Sequence, residues 1–392
     1  MERQTTTNFR SLASTVEDVY LVEASPALRD AQKKLLGTDH PFEEVQDGLR
    51  CKSKYSGLPI TWYEDIRFVP NGGKSNPEGH LIAADLLRLD ASKMPFIFAH
   101  EFFDALPIHA FQSVAPAPNP TVLETPTGPL PLSKSSSRSR EPQWRELVVS
   151  PTPPPSVLYP KPRSDPPPPD FQLSVAKAST PPALFLPTLS ARYRALLPTS
   201  GSVIEISPES HSYAAEFARR IGGSNRGTTA SSTPSMASTK REPSGAALVL
   251  DYGPLDTIPT NTLRGIQAHK QVSPFASPGL VDLSADVDFT ALADAAIEAS
   301  EGVEVHGPVE QGFWLESVGI KERLQMLNRG IDKEIGPSTK EKEDKKKQVQ
   351  KAVERLVERG GGGMGRIYKA MAIIPEASGK RKPVGFGGSV KM

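Results

Sequence analysis

At 392 residues, the chain has room for two or three domains of roughly 100–200 residues each. Its 46 basic and 45 acidic side chains leave a net charge of +1, which gives no global electrostatic case for binding nucleic acid or a membrane surface. The one cysteine, Cys51, excludes an internal disulfide and points to a reducing compartment; no run approaches the roughly 18 apolar residues of a spanning helix.

Residues 1–10 carry one Glu, two Arg and three Thr without an apolar run. They read neither as a signal peptide nor as an Arg-rich, acid-poor transit peptide. Residues 19–22, VYLV, suit a short buried strand closed by Glu23. Ser25-Pro26 then opens a helix, with proline at a first-turn position where its missing N–H costs nothing. Leu28, Ala31, Leu35 and Leu36 share one face of that helix. Residues 60–63 read as a second strand ending at Glu64 and Asp65, and residues 96–99 as a third that leads into His100-Glu101-Phe102-Phe103-Asp104-Ala105-Leu106-Pro107. Residues 246–250 form a fourth, ending at Asp251-Tyr252-Gly253. Apolar strands with acidic ends predict a mostly parallel α/β sheet with helices on both faces. Ligands of such sheets bind outside the carboxyl ends of the strands.

Between the third and fourth strands, residues 116–187 hold 20 of the 39 prolines. That composition offers few side chains to bury and predicts a long, largely disordered insertion. Within it lie a Ser/Arg patch at 133–140, a strand-like run at 144–149, and a proline tract at 151–169 suited to serve as a partner ligand. Residues 203–206 and the following Ser207-Pro208-Glu209 read as strand then helix, with Tyr213, Phe217 and Ile221 on one face. Residues 222–244 are a Ser/Thr/Gly-rich loop. The mixed-charge block 338–359 is expected to be a solvated helix, since acids interleave its lysines. Gly360 to Gly363 lacks the strand-before, helix-after setting of a phosphate loop and reads as a turn before a final strand at 367–374.

Several acids have chemistry within reach. Glu23, at a strand end, can accept hydrogen bonds from the vicinal hydroxyls of a ribose or cap the following helix. Glu64 and Asp65 stand between an adenine or ribose contact and plain solvation. Glu101 and Asp104 flank two phenylalanines directly after a buried strand. In a turn they converge and hold a guanidinium by charge-assisted bonds, orienting a nitrogen lone pair at an electrophilic methyl group. At a helix start they face its dipole instead, with the Phe pair in the core. His109 has no partner at a chemical spacing. The acids of 282–288 lack the central Gly and terminal Glu of a calcium loop, so they are expected to cap a helix near Phe289, some of them facing the site mouth. No metal site is expected.

Leu21-Val22-Glu23-Ala24-Ser25-Pro26, the run 101–107, Asp251-Tyr252-Gly253, Thr262-Leu263-Arg264-Gly265 with His269-Lys270, Asp286-Val287-Asp288-Phe289 and Gly319-Ile320 occur in one order. In that order they resemble the MidA-like mitochondrial family of protein arginine methyltransferases, which act in assembly of respiratory complex I. The likeness covers residues 9–113, 144–150, 200–222, 246–330 and 364–374. It implies a Rossmann-like, seven-stranded methyltransferase fold and S-adenosyl-L-methionine as methyl donor. It further implies symmetric dimethylation of an arginine in a core subunit of NADH:ubiquinone oxidoreductase, and residence in the mitochondrial matrix. The family's Glu-Leu-Gly-Pro-Gly loop belongs upstream of Phe9, so the first strand and any targeting peptide are expected to be missing, and S-adenosylmethionine binding to be weak. His100 replaces the family's usual Asn.

Carried over, the resemblance implies Glu23 as the ribose-binding acid and Glu64 or Asp65 as the adenine-side acid. Glu101 and Asp104 are assigned to orienting the arginine on geometry alone, with Phe102 or Phe103 lining the pocket and Phe102 on the cofactor side. The expected organisation is an incomplete amino-terminal methyltransferase part at 1–113, the insertion at 114–190 and the carboxyl-terminal part at 191–330. A charged helix and Gly turn at 331–363 and a final strand and tail at 364–392 follow. The reading requires the strands ending at Glu23, Glu101 and Asp251 to lie side by side around one nucleoside pocket. The alternative is a non-catalytic complex I assembly scaffold that keeps the fold without the cofactor loop.

Overall fold

The computed structural model describes residues 14–38, 42–70, 93–115, 122–125, 128–131, 141–153, 170–223, 242–268, 270–377 and 382–388. Residues 1–10, the Ser/Arg patch 133–140, His269, residues 154–169 of the proline tract and residues 224–241 of the Ser/Thr/Gly-rich loop lie outside the described residues. The chain divides into two compact units, Met1–Lys93 and Met94–Met392.

The first unit contains β1 (Val19–Val22), α1 (Pro26–Leu36), β2 (Glu43–Val45), β3 (Gly48–Lys52) and β4 (Pro59–Tyr63), in the sheet order β1-β4-β3-β2. β1 and β4 are parallel, with Val19 opposite Ile60 and Val22 opposite Tyr63, while β3 is antiparallel to both of its neighbours. Ser25 caps α1 by accepting the Leu28 N–H at 3.3 Å, and Pro26 opens the helix as its sequence dictates. Cys51, Ile60 and Trp62 form the core, joined by Val19, Leu21 and Leu36. The expected apolar face of α1 is only partly used. Leu28 and Leu35 stay 54% and 60% exposed, because Leu36 packs on the core and Gln32 takes the Trp62 indole N–H at 3.1 Å. That stripe, rather than the Leu28–Leu35 stripe, faces the sheet.

The second unit begins with β5 (Phe96–His100), β6 (His109–Val114), β7 (Val122–Thr125), β8 (Gly128–Pro131), β9 (Gln143–Pro151) and β10 (Phe171–Val175). Next come α2 (Pro181–Phe185), α3 (Ala191–Leu196), β11 (Val203–Ile206), α4 (Pro208–Gly222), β12 (Ala246–Tyr252), β13 (Arg264–Gln267), β14 (Lys270–Val272) and β15 (Asp282–Ser284). It closes with α5 (Phe289–Ala299), β16 (Val303–Glu310), α6 (Gln311–Ser317), α7 (Ile320–Asp332), α8 (Thr339–Val357) and β17 (Tyr368–Pro375). The central sheet runs β16-β17-β12-β5. β5 and β12 are parallel, and β17 lies antiparallel between β12 and β16. The side chains of residues 368–373 in β17 are all buried, the pattern of an interior strand covered on both faces. α4 packs against α5 and against the sheet.

The mostly parallel sheet expected from acid-ended strands is thus realised as two parallel pairs, β1/β4 and β5/β12, each continued by antiparallel strands. The difference has a physical cause: burial on two faces shapes a strand's composition, whereas the direction of its partner leaves no trace in it.

A second sheet runs β10-β9-β6-β11 with every pair antiparallel. Trp144, the strand-like run's aromatic, packs into a core of Phe111, Ala183, Leu186, Tyr193, Ile204 and Ile206. The described parts of the proline-rich segment therefore contribute to a buried core. α8 buries no residue fully but half-buries one face, Val349, Val353 and Leu356 among it, and packs against α6 and α7; its Ser338–Glu341 capping box closes the start. Among the described residues no helix is long and apolar enough to cross a membrane.

Candidate active site

The carboxyl ends of β5 and β12 lie side by side because the two strands are parallel and in register from Ala246–Phe96 to Leu250–His100. Asp251, fully buried at the end of β12, ties them together. Its Oδ2 accepts the N–H groups of Phe102 and Phe103 at 3.1 and 2.9 Å, and its Oδ1 accepts the Tyr252 N–H at 2.9 Å. Burial, then the nearby Asp104 carboxylate, push Asp251 up to about 7, against the pull of those three donors.

The turn so pinned is the stretch 101–107 singled out in the sequence. Glu101 sits in the left-handed region at φ 47°, where a non-glycine residue is strained. Its N–H bonds the Leu250 carbonyl at 3.0 Å, and its side chain is exposed. Tyr368, at the start of β17, donates its hydroxyl to Glu101 Oε1. The Tyr368 oxygen lies 2.6 Å from the Tyr252 hydroxyl, and the two rings are 4.3 Å apart. Burial raises both phenols, Tyr252 to about 12.

Asp104 takes a different position from Glu101. It is 8% exposed, accepts the Ser284 hydroxyl at 2.9 Å, and offers its carbonyl to the Ala285 N–H. Its Oδ1 is buried without a partner among the described residues. Burial raises its pKa, with the Glu101 charge adding to the effect and the Ser284 bond and Arg264 opposing it. Glu101 and Asp104 therefore flank one turn as expected, one facing solvent and the other the interior. Between them Phe102 packs edge-on against Phe103 and Tyr213, and Phe103 against Phe217.

A polar network continues from this turn. Arg264 lies over the Tyr252 ring at 5.3 Å and pairs with Asp286 at 2.6 Å. The Asp286 N–H bonds the Thr262 hydroxyl at 2.8 Å. Glu205, buried at 4% exposure, accepts the Thr262 hydroxyl and, at 2.9 Å, the Thr262 N–H. Asp288 caps α5 through the Ala291 N–H, as its place before Phe289 predicted, and also holds both Arg192 and Tyr193. A cavity of about 20 Å³, room for one or two waters, lies among Phe103, Glu205, Ser207, His211 and Asp286. His109 bonds Glu146 at 2.7 Å and stacks on Phe111, a packing histidine.

The remaining predicted acids belong to the first unit. Glu23, half-buried at the end of β1, uses Oε1 on the Ser25 N–H at 2.9 Å. Glu64 pairs with Arg29 at 2.7 Å and its side chain is 64% exposed. Asp65 caps the single 3-10 turn Ile66–Phe68 through the Arg67 N–H and also pairs with the Arg67 guanidinium.

Sequence reasoning put Asp251 at a strand tip beside the expected pocket and Tyr252 and Arg264 in family motifs without giving them a role, and it did not single out Tyr368 or Glu205. A signal existed for Asp251, a lone acid at the end of a fully apolar run. None existed for Tyr368, which reads as one more aromatic in a buried strand.

A profile of the family described as putative S-adenosyl-L-methionine-dependent methyltransferase matches residues 3–309. The chain belongs to that family. Among curated proteins this methyltransferase-family chain is 30% identical over 324 residues to the protein arginine methyltransferase NDUFAF7, mitochondrial, of Rattus norvegicus, covering 82% of the chain and 52% of the relative. The human protein of the same name is 28% identical over 341 residues, covering 85% of the chain and 56% of the relative. The chain spans about half the length of the curated relatives it matches. A crystal structure from Burkholderia thailandensis, bound to S-adenosyl-homocysteine, superposes with a TM-score of 0.53 at 16% identity, covering 99% of the chain and 69% of that structure. At that identity the likeness is one of fold.

The family's methyl donor carries a ribose whose two hydroxyls need an acceptor. Glu23 fits that need, since its bond to Ser25 engages one carboxylate oxygen. Asp65 fits less well as an adenine-side acid, because its Oδ1 caps the 3-10 turn and its Oδ2 pairs with the Arg67 guanidinium. Glu64 engages Arg29 but stays exposed.

Proposed function

We propose that the chain is the methyl-transferring part of a protein-arginine N-methyltransferase that forms symmetric dimethylarginine. Its substrate is a core subunit of NADH:ubiquinone oxidoreductase, methylated during assembly of complex I in the mitochondrial matrix. The names of the relatives support the arginine and mitochondrial parts of this reading. The observation that carries it is the exposed Glu101 carboxylate, held on a strained turn where two parallel strands end. The full fold proposed is seven-stranded, with a further strand beside β5, which among the described residues ends its sheet with Phe96 and Phe98 exposed.

Glu23 would hold the ribose and Glu64 the adenine side. When bound, S-adenosylmethionine supplies an electrophilic methyl group on a sulfonium sulfur. Glu101 accepts hydrogen bonds from the substrate guanidinium and turns a nitrogen lone pair toward that methyl. On methyl transfer Glu101 would take the proton that the substrate nitrogen sheds. Asp104 fixes the far end of the turn through Ser284 and Ala285.

Transfer of labelled methyl from S-adenosylmethionine to an arginine peptide tests the reading. Glu101→Gln is expected to lower kcat by about 100-fold or more while the dissociation constant for S-adenosylmethionine stays within roughly two-fold, since no cofactor contact is removed. Unchanged turnover removes the assignment. The alternative, a non-catalytic assembly scaffold, draws support from the engagement of Asp65 and Glu64 within the chain. Client binding without any methyl transfer would establish it.

A further inference from the structure

We infer that Tyr368 and Tyr252 are positioning residues that hold the Glu101 carboxylate in its reactive orientation, with Arg264 fixing the Tyr252 ring. The inference rests on the proposed methyl transfer for its catalytic meaning, and on geometry alone for the contact.

Glu101 is exposed, and an exposed carboxylate on a free side chain samples several rotamers. The backbone cannot provide the restraint by itself. A left-handed φ of 47° sets the direction of the Cα–Cβ bond and leaves the three side-chain torsions open. Tyr368 supplies what is missing: its hydroxyl donates to Oε1. One phenol proton serves one acceptor, so with that proton on Glu101 the Tyr368 oxygen is free to accept. The Tyr252 hydroxyl, 2.6 Å away, is placed to donate to it. A phenol whose own oxygen accepts a hydrogen bond is a stronger donor, so the second tyrosine strengthens the first contact.

The ring positions are themselves fixed. Tyr368 is 5% exposed at the start of β17 and stands opposite Tyr252 in the β12–β17 register. Tyr252 lies between that ring and the Arg264 guanidinium, which sits 5.3 Å over its face. Arg264 is held in turn by Asp286 at 2.6 Å and by the Thr262 carbonyl at 3.2 Å. Three separate stretches of chain thus form a relay that ends on one carboxylate oxygen, Arg264 on Tyr252, Tyr252 on Tyr368 and Tyr368 on Glu101.

Two measurements on the whole chain test this. Tyrosine labelled at Cζ reports the hydrogen-bond state of each phenol by NMR, with Tyr368→Phe and Tyr252→Phe assigning the two signals. Glu101→Gln is expected to move those two signals and leave the other tyrosines unmoved; unmoved Tyr368 and Tyr252 signals overturn the contact. In methyl transfer, Tyr368→Phe is expected to lower kcat roughly ten-fold, with KM for S-adenosylmethionine unchanged and Tyr252→Phe showing a smaller loss of the same kind. Wild-type kcat in a folded Tyr368→Phe overturns the positioning role, as does a loss seen wholly in KM. If the wild-type chain transfers no methyl group, the enzymatic reading fails, and the NMR result alone decides whether the tyrosines hold Glu101.

Discussion

Asp251 accepts the backbone N–H of Phe103 at 2.9 Å across 148 residues of sequence. With the Phe102 and Tyr252 bonds it makes one side chain the clasp between the ends of β5 and β12. Removing it leaves three donors in a buried site without an acceptor, each costing about 1–3 kcal/mol. Asp251→Ala should therefore destabilise the second unit by about 3 kcal/mol or more, read as a lower urea midpoint.

The same carboxyl predicts a pH dependence. Folding raises it from 3.8 to about 7, chiefly through burial, so the folded state binds the proton more tightly than the unfolded chain does. Its contribution is fully present below the unfolded value and is lost as pH rises through about 7. Stability should fall by up to about 4 kcal/mol over that window, measured as urea midpoints at a series of pH values. Asp251→Asn should flatten the slope.

Glu101 offers a test of backbone strain. At φ 47° a Cβ is penalised by about 1–2 kcal/mol. Glu101→Gly should consequently be more stable than Glu101→Ala by about 1 kcal/mol, the reverse of the order found on helical backbone. Thermal melts of the two variants decide it.

Gly253 follows the clasp at φ 153°, and a Cβ there would lie 2.4 Å from the Val287 carbonyl oxygen. Neither backbone segment yields easily, since the Val287 N–H is bonded to the Tyr252 carbonyl at 2.9 Å. Gly253→Ala should cost about 2 kcal/mol or more by denaturant titration.

How much of this was legible beforehand follows from which forces act locally. The Ser25 and Asp288 caps, the α4 start at Pro208 and the capping box that opens α8 are local arrangements, and the sequence states them through residue type and spacing. Glu101 and Asp104 stood out because two acids flanking two phenylalanines after an apolar run are unusual. Their opposite environments were not readable: burial of Asp104 depends on Ser284, 180 residues away. The antiparallel place of β17 and the partners of Tyr368 are likewise long-range facts. The core formed around Trp144 was hidden by proline content, which reports what the backbone forgoes rather than what side chains bury.

β17 is the last strand of its sheet to be synthesised, yet it lies between β12 and β16. A nascent chain emerging from the ribosome accordingly exposes both neighbouring edges until residue 375 has left the exit tunnel. During that interval β12 and β16 are open to mispairing, and assembly of the sheet waits on contacts of high sequence separation. The second unit is therefore expected to complete this sheet late rather than strand by strand.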